Sequence, residues 1–224
     1  HGAWSIAPDW RYCKYAIKFG SSKGTGSGHS AMTNARLRAQ AIERGLKEVV
    51  FDPMCNFAGG KATEWIPILP GTDSAVALAM CNYILNKLKI YDEIYLKAKT
   101  NLPFLIGPSG KYARDEESGK PVIYDEREKK IKVYDAPVAD YGDYAMEGDF
   151  DVRGIKCRPA FMALKEHLEK YDIQWASEVS SVPAETIRRI ATEWVENAQI
   201  GSTITIEGKS FPHRPVAAVL FRGA

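Results

Sequence analysis

The sequence predicts an α/β fold, in which a mostly parallel sheet carries a small β-hairpin insertion. Three observations support this prediction. Strand-like and helix-like patterns alternate in the first part of the chain, a polar glycine-rich stretch separates the first strand from the first helix, and short β-type runs cluster near the middle. Alternating strands and helices favour a parallel sheet, because each helix returns the chain to the edge where the next strand begins.

The first elements form a βαβ unit. Residues 12–19 (YCKYAIKF) are rich in aromatic and β-favouring side chains and end at Gly20. Apolar residues then recur at helical spacing from about Ala31 to Arg44, and Gly45 is a suitable helix stop. Residues 48–51 (EVVF) are typical of a buried strand. In a right-handed βαβ unit the two strands run parallel.

The rest of the chain extends this unit. Residues 65–68 (WIPI) predict a strand and residues 74–88 a helix, so that the βαβ portion of the chain, for which the residues considered below predict dinucleotide binding, spans 1–101. Residues 102–151 hold short β-type runs and predict a hairpin insertion followed by an acidic surface connection. We expect the charged turns at 114–117 and 125–128 to be solvated hairpin tips.

Residues 152–224 are expected to complete the same domain. Helical spacing predicts helices over 159–171 and 184–197. Apolar runs at 202–206 and 216–221 predict closing strands.

Composition excludes several classes of partner. Thirty basic residues nearly balance 28 acidic ones, which leaves a net charge of +2 and no basic face for nucleic acid. No apolar run approaches the roughly 20 residues that a membrane helix needs. The N-terminal residues 1–4 (HGAW) lack both a Met and a signal-peptide pattern, so we expect a piece of a longer protein whose localisation the sequence leaves open.

The sequence assigns no catalytic residue and no metal ligand. The cysteines are far apart and form no metal-binding pair, so we expect buried structural thiols. Three histidines are isolated and are expected to be structural or to lie on the surface. These residues are Cys13, Cys55, Cys81 and Cys157, and His29, His167 and His213.

The stretch from Gly20 to Ser30 is the first candidate binding element. It lies between a strand and a helix, where backbone N–H groups free of side-chain bulk hold phosphate oxygens. Gly26-x-Gly28-x-x-Ala31 also fits a loose dinucleotide pattern, for which Asp52 would be the ribose acceptor. The alternative is a surface loop without a ligand.

Two further candidates follow the next two strands. Asp52-Pro53 lies at the carboxyl end of a parallel strand, where its carboxylate would accept hydrogen bonds from ribose or a base, or would simply cap a turn. In residues 70–73 (PGTD), Gly71 permits close backbone approach, and Thr72 or Asp73 would cap the next helix. The Asp73 carboxylate would alternatively accept two N–H groups of a guanine edge.

Taken together, these segments resemble the catalytic large subunit of molybdopterin oxidoreductases of the DMSO reductase family. The most specific match is residues 70–73 (PGTD) with its flanks at 61–62, 65–68 and 75–80 (AVALAM). Further matches occur in family order at 15–21 (YAIKFGS), 48–53 (EVVFDP), 100–106 (TNLPFLI), 183–187 (PAETI) and 201–208 (GSTITIEG).

The resemblance implies a Rossmann-like, three-layer domain that binds one half of a bis-molybdopterin guanine dinucleotide carrying molybdenum or tungsten. Gly20, Ser21 and Ser22 would lie beside its phosphate or pterin. Asp52, followed by Pro53, would contact the guanosine region. Asp73 would contact the guanine base, with Gly71 and Thr72 in the same turn.

The resemblance also implies partners. The iron–sulfur cluster, the metal ligand and the domain that completes the cofactor clamp would lie outside this fragment, which alone would be inactive. The expected partners are the remaining domains of the large subunit, together with an electron-transfer subunit that holds iron–sulfur clusters. Two other functions stay open: a stand-alone nucleotide-binding module, and an NAD-dependent dehydrogenase that would use the Gly26-x-Gly28-x-x-Ala31 pattern with Asp52.

Overall fold

A computed structural model describes residues 8–22, 31–135 and 143–220. The chain divides into two compact units. The first unit combines the residues up to Ile90 with those from Tyr171 onward, and the second spans Tyr91–Lys170. None of the helices in the described ranges is long and apolar enough to cross a membrane.

The described residues form eleven strands and seven α-helices. The strands are β1 (Tyr15–Phe19), β2 (Lys47–Phe51), β3 (Glu64–Ile66), β4 (Leu105–Ile106), β5 (Val122–Asp125), β6 (Lys130–Val133), β7 (Phe150–Val152), β8 (Ile155–Pro159), β9 (Thr203–Ile206), β10 (Lys209–Pro212) and β11 (Val216–Leu220). The helices are α1 (Ala31–Glu43), α2 (Phe57–Gly60), α3 (Asp73–Asn82), α4 (Glu93–Lys99), α5 (Ala160–Leu168), α6 (Ile173–Ser180) and α7 (Ala184–Asn197).

A four-stranded parallel sheet in the order β11–β1–β2–β3 forms the centre of the first unit. The predicted parallel pairing of β1 and β2 is therefore confirmed. Strand β1 begins at Tyr15 rather than at residue 12, because the Tyr12 and Cys13 amides donate to the Asp9 carbonyl in a turn. Of the two predicted closing strands, β11 joins this sheet, whereas β9 pairs with β10 in a separate antiparallel hairpin.

Alternate residues of β1 face two hydrophobic clusters. Tyr15, Ile17 and Phe19 pack against residues of α3, α6 and α7. Ala16 belongs to a second cluster with Ala41 of α1. Because successive side chains of a strand point to opposite faces, helices cover both sides of the sheet.

A buried ion-pair cluster lies between the sheet and α1. The Lys18 Nζ is 2.8 Å from Glu48 Oε1, and both side chains are fully buried. From α1, Arg38 Nε donates to both Glu48 carboxylate oxygens at 2.9 Å. Burial lowers the pKa of Lys18, and the nearby Glu48 carboxylate opposes that shift. The Glu48 amide also donates to Thr63 Oγ1 at 3.0 Å, which connects the cluster to the residues before β3.

The helix predicted over residues 74–88 is observed with a change of geometry. Helix α3 begins one residue earlier, and after Asn82 the chain continues as a π-helical segment, Tyr83–Leu88. The Lys89 amide donates to the Ile84 carbonyl at 2.8 Å, and Lys89 ends the segment with φ +55°.

The second unit corrects several expectations. The hairpin of β5 and β6 is confirmed, but Asp125 at its turn is 2% exposed rather than solvated, because it pairs with Lys132 at 2.6 Å. The predicted acidic surface connection includes the buried residues 144–146 and strand β7, which pairs with β8 in an unpredicted hairpin. That connection was expected over residues 140–151, of which 140–142 lie outside the described residues.

We expect Glu48→Gln to lower the free energy of unfolding by about 3–5 kcal/mol, because it leaves Lys18 and Arg38 buried without their carboxylate. Urea unfolding followed by circular dichroism measures this loss. Glu64→Gln is the control, since Glu64 pairs with Arg189 where both side chains are partly exposed, and such a pair contributes about 0–1 kcal/mol. Equal losses in the two variants would contradict a special role for the buried cluster.

Candidate functional site

The predicted site residues lie where three neighbouring parallel strands end. Gly20 follows β1, Asp52 follows β2, and residues 70–73 come shortly after β3. The Gly20 amide donates to the Phe51 carbonyl at 3.0 Å, and the Asp52 amide donates to the Ile66 carbonyl at 3.2 Å. The structure therefore brings the three groups to one edge of the sheet, the edge at which parallel α/β sheets bind ligands.

The residues after β1 form a compact turn. Gly20 has φ +50°, a left-handed conformation that favours glycine. Ser21 is buried and Ser22 is half-buried, and both make polar contacts. The predicted phosphate loop continues into residues 23–30, which lie outside the described residues, as do Gly26 and Gly28 of the dinucleotide pattern.

Asp52 is 8% exposed, and its own loop holds its carboxylate. The Met54 amide donates to Asp52 Oδ1 at 3.0 Å, and Asn56 Nδ2 donates to Oδ2 at 2.9 Å. The Trp65 indole N–H donates to the Asp52 carbonyl at 2.9 Å. Pro53 is exposed. Asp52 therefore closes a turn, as one of the two interpretations of the sequence predicted, while its carboxylate stays at the edge of the sheet.

The loop after β3 places Asp73 at the first turn of α3. Gly71 is exposed with φ +78°, so its backbone conformation requires glycine, whereas the space beside it is open. One interpretation of the sequence predicted that Thr72 would cap α3. Its side chain does not do so, because its hydroxyl donates to the Leu69 carbonyl at 2.7 Å. Asp73 is 7% exposed, and a carboxylate there interacts favourably with the helix dipole.

The two carboxylates interact electrostatically. Burial raises the pKa of Asp73; its own backbone N–H opposes this shift, and the Asp52 carboxylate adds to it. Among the described residues, no side chain donates a hydrogen bond to the Asp73 carboxylate. Asp73 is thus a desolvated acceptor with open positions, beside a second carboxylate that its own loop orients.

These residues fit a nucleotide. A carboxylate accepts two parallel N–H bonds, which is what the edge of guanine offers, and the second carboxylate has lone pairs left for hydroxyl groups. Large apolar side chains stand beside them at the same edge: Met54, Phe57 and Leu69 are 70%, 64% and 48% exposed. These hydrogen-bond acceptors are suited to binding and orienting a ligand that offers N–H and O–H donors.

Asn56 and Trp65 are site residues that the sequence analysis missed. The sequence offered one signal, since Asn is a preferred N-cap residue and Asn56 precedes α2. Nothing in the sequence indicates that its amide also faces Asp52, four residues earlier.

The cysteines correct another expectation. Cys157 is buried, but Cys55 and Cys81 are exposed and Cys13 is half-buried, so the thiols are not uniformly structural. His213 lies beside the Tyr12 carbonyl, in keeping with a structural role, whereas His29 is outside the described residues. Within the described ranges, no three His, Cys, Asp or Glu residues are grouped as metal ligands.

Two clefts of the first unit lie away from the predicted site. One of about 280 Å³ is at the amino ends of β1 and β11, beside the hairpin of β9 and β10. The other, of about 410 Å³, lies between the end of α3, α6 and α7. The candidate site is therefore defined by strand ends and buried carboxylates, not by these clefts.

Comparison with known proteins identifies the family. Residues 27–222 match the family model described as molybdopterin oxidoreductase. The chain belongs to the molybdopterin oxidoreductase family. The expected resemblance is thereby confirmed, and the cofactor of this family is a molybdopterin that carries molybdenum or tungsten.

Two individual relatives support this family assignment. A sulfite dehydrogenase subunit from Allochromatium vinosum is 30% identical over 198 residues, which cover 83% of this chain and 20% of that protein. The perchlorate reductase alpha subunit from Dechloromonas aromatica is 29% identical over 226 residues, which cover 83% of this chain and 24% of that protein. The chain thus spans about a fifth to a quarter of these relatives.

A solved structure shares the fold. Acetylene hydratase from Pelobacter acetylenicus superposes with a TM-score of 0.53 and 20% sequence identity, over 97% of this chain and 19% of that one. At this identity the match supports the α/β fold alone.

We expect the pKa of Asp73 to lie above that of an ordinary aspartate, and Asp52→Asn to lower it only in part, because burial persists when the neighbouring charge is removed. NMR titration of the side-chain carboxyl carbons measures both values. Asp172→Asn, which removes a carboxylate that caps α6, should leave the pKa of Asp73 unchanged. An ordinary pKa for Asp73 in the unsubstituted chain would contradict its burial.

Proposed function

We propose that this chain is the part of a molybdenum or tungsten oxidoreductase catalytic subunit that binds the guanine dinucleotide of a molybdopterin cofactor. In this proposal the parallel sheet with its helices is a Rossmann-like, three-layer domain, and the cofactor is a bis-molybdopterin guanine dinucleotide. The observation that carries the proposal is the pair of buried carboxylates, Asp52 directly after β2 and Asp73 at the start of α3, which follows the neighbouring parallel strand β3.

Each group at this edge has a role that matches its surroundings. Asp73 accepts the two N–H groups of the guanine edge, because it is desolvated and offers its carboxylate at the first turn of α3. Asp52, with Pro53 beside it, accepts hydrogen bonds from the guanosine region. Gly20, Ser21 and Ser22 lie beside the phosphates or the pterin. Gly71 and Thr72 shape the turn that presents Asp73.

The residues of this chain bind and orient the cofactor. When bound, the molybdopterin centre supplies redox or oxygen-atom transfer chemistry, and the substrate of the parent protein is a small molecule. The relatives include a sulfite dehydrogenase subunit and a perchlorate reductase subunit, which supports this class of reaction. Selection of the substrate and ligation of the metal belong to other parts of the parent protein.

The proposed partners follow from the length of the relatives. The remaining domains of the same large subunit complete the cofactor clamp and hold an iron–sulfur cluster. A separate iron–sulfur subunit transfers electrons, and relatives whose names describe them as one subunit of an enzyme support such an assembly.

Titration with GDP tests the proposal, because GDP carries the guanine, ribose and diphosphate of the dinucleotide. We expect the full chain to bind GDP saturably and more tightly than NADH in isothermal titration calorimetry. Asp73→Asn should weaken GDP binding about tenfold or more, since hydrogen bonds to a charged group contribute about 1.5–3 kcal/mol each.

Asp172→Asn is the matched control, because it removes the same charge while asparagine remains a good N-cap for α6. Its GDP affinity should equal that of the unsubstituted chain. Saturable NADH binding without a preference for guanine would instead support a dehydrogenase and refute the proposal. For the parent protein, absence of molybdenum, tungsten and pterin on elemental and cofactor analysis would also refute it.

A further inference from the structure

The side-chain amide of Asn56 connects Asp52 with helix α2, because both its oxygen and its nitrogen form hydrogen bonds. Its Oδ1 accepts hydrogen bonds from the Ala58 and Gly59 amides at 2.8 and 3.3 Å. Its Nδ2 donates to Asp52 Oδ2 at 2.9 Å. The orientation of the amide is unambiguous, because two backbone N–H donors require the oxygen on their side and a carboxylate requires the nitrogen on the other.

The position of α2 is also fixed. A Cβ added to Gly59 would lie 2.9 Å from Trp65 Cδ1, closer than real Cβ contacts allow, so α2 packs directly on the indole. The same indole donates through Nε1 to the Asp52 carbonyl at 2.9 Å. Asp52, Asn56, α2 and Trp65 therefore form a closed ring, in which the carboxylate and the backbone of Asp52 are held from two directions.

This ring limits which lone pairs of Asp52 can reach a ligand. The Met54 amide occupies one position on Oδ1 and Asn56 occupies one on Oδ2. An ionised carboxylate has about four acceptor positions, so those that point away from the 54–56 loop remain. Each hydroxyl group of a ribose donates one hydrogen bond, so the two hydroxyls on adjacent carbons match the positions left on the two carboxylate oxygens.

We propose that Asn56 is a positioning residue that aims the Asp52 carboxylate at the ribose hydroxyls of a bound guanine nucleotide, and that it thereby sets a preference for ribose over 2′-deoxyribose. The inference rests on the proposed function, since it concerns the same nucleotide site. Asn56 does not touch the nucleotide; it acts through Asp52.

A purely structural role predicts something different. Serine is as good an N-cap residue as asparagine, so Asn56→Ser keeps the cap of α2 while its short side chain no longer reaches Asp52. If Asn56 only caps α2, this substitution is nearly silent. If Asn56 positions Asp52, the substitution affects a ligand that has a 2′-hydroxyl more than one that lacks it.

The experiment measures GDP and 2′-deoxy-GDP binding to the full chain by isothermal titration calorimetry. We expect the unsubstituted chain to prefer GDP. Asn56→Ser should weaken GDP binding about fivefold to tenfold and change 2′-deoxy-GDP binding less than twofold, so that the preference disappears. Asn86→Ser, which changes the same residue type where it contacts Asn82, is the control and should preserve both affinities.

Thermal unfolding of each variant checks that it is folded. If Asn56→Ser does not fold, Asn56→Asp provides the second test, because aspartate also caps a helix but places a carboxylate against Asp52. It too should abolish the preference for GDP over 2′-deoxy-GDP.

Four results would overturn the inference. Equal weakening of both nucleotides by Asn56→Ser would show that Asn56 does not act through the ribose hydroxyls, and unchanged affinities would show that it only caps α2. A chain that binds both nucleotides equally before substitution would leave the proposed function intact and remove the ribose preference. A chain that binds neither nucleotide would remove the proposed function and this inference together.

Discussion

The ion pairs of Glu48 are the interaction on which the rest of the first unit depends. A carboxylate that is fully buried is costly unless charged partners and hydrogen bonds satisfy it, and here Lys18 of β1 and Arg38 of α1 both do so. The backbone of Glu48 pairs with Thr63, just before β3. One side chain and its backbone therefore tie together three neighbouring strands and the helix that crosses them. Because these contacts fix the strands in register, they also fix where the strands end.

The buried carboxylates of the candidate site have surroundings that contrast with those of Glu48. Glu48 meets two cations, so its charge is compensated within the fold. Asp73 is nearly as buried but receives no hydrogen bond from a described side chain, and a second carboxylate raises its pKa further. A protein that buries a carboxylate without compensation loses stability, and such groups cluster at functional sites. The contrast between Glu48 and Asp73 supports a binding role for Asp73.

The sequence predicted the parts of the fold that depend on local pattern. Helices α1 and α7 and the parallel pair β1 and β2 follow directly from periodicity and from the order of the elements. The hairpin of β7 and β8 was not predicted, because charged residues interrupt its alternation of apolar and polar side chains. Asp125 was wrongly expected to be solvated, because its partner, Lys132, lies across a hairpin. The grouping of Gly20, Asp52 and Asp73 was predictable because parallel strands end at one edge. The contact between Asn56 and Asp52 was not, since it depends on how one loop folds back on itself.

The two aspartates differ in a way that suits the two halves of a nucleoside. Asp52 is held on both oxygens by donors of its own loop, so it offers separate acceptor positions in a fixed direction. The Asp73 carboxylate receives no hydrogen bond from a described side chain, and at a buried position a paired set of N–H donors is bound strongly. A ribose offers hydroxyl groups on adjacent carbons, each with its own rotatable O–H, whereas a guanine edge offers two N–H groups held parallel. If the roles were exchanged, the guanine edge would compete with the Met54 amide and the Asn56 side chain for the oxygens of Asp52. The hydrogen bonds within the protein thus favour the orientation proposed for the nucleotide, with its base toward α3 and its sugar toward the 52–56 loop.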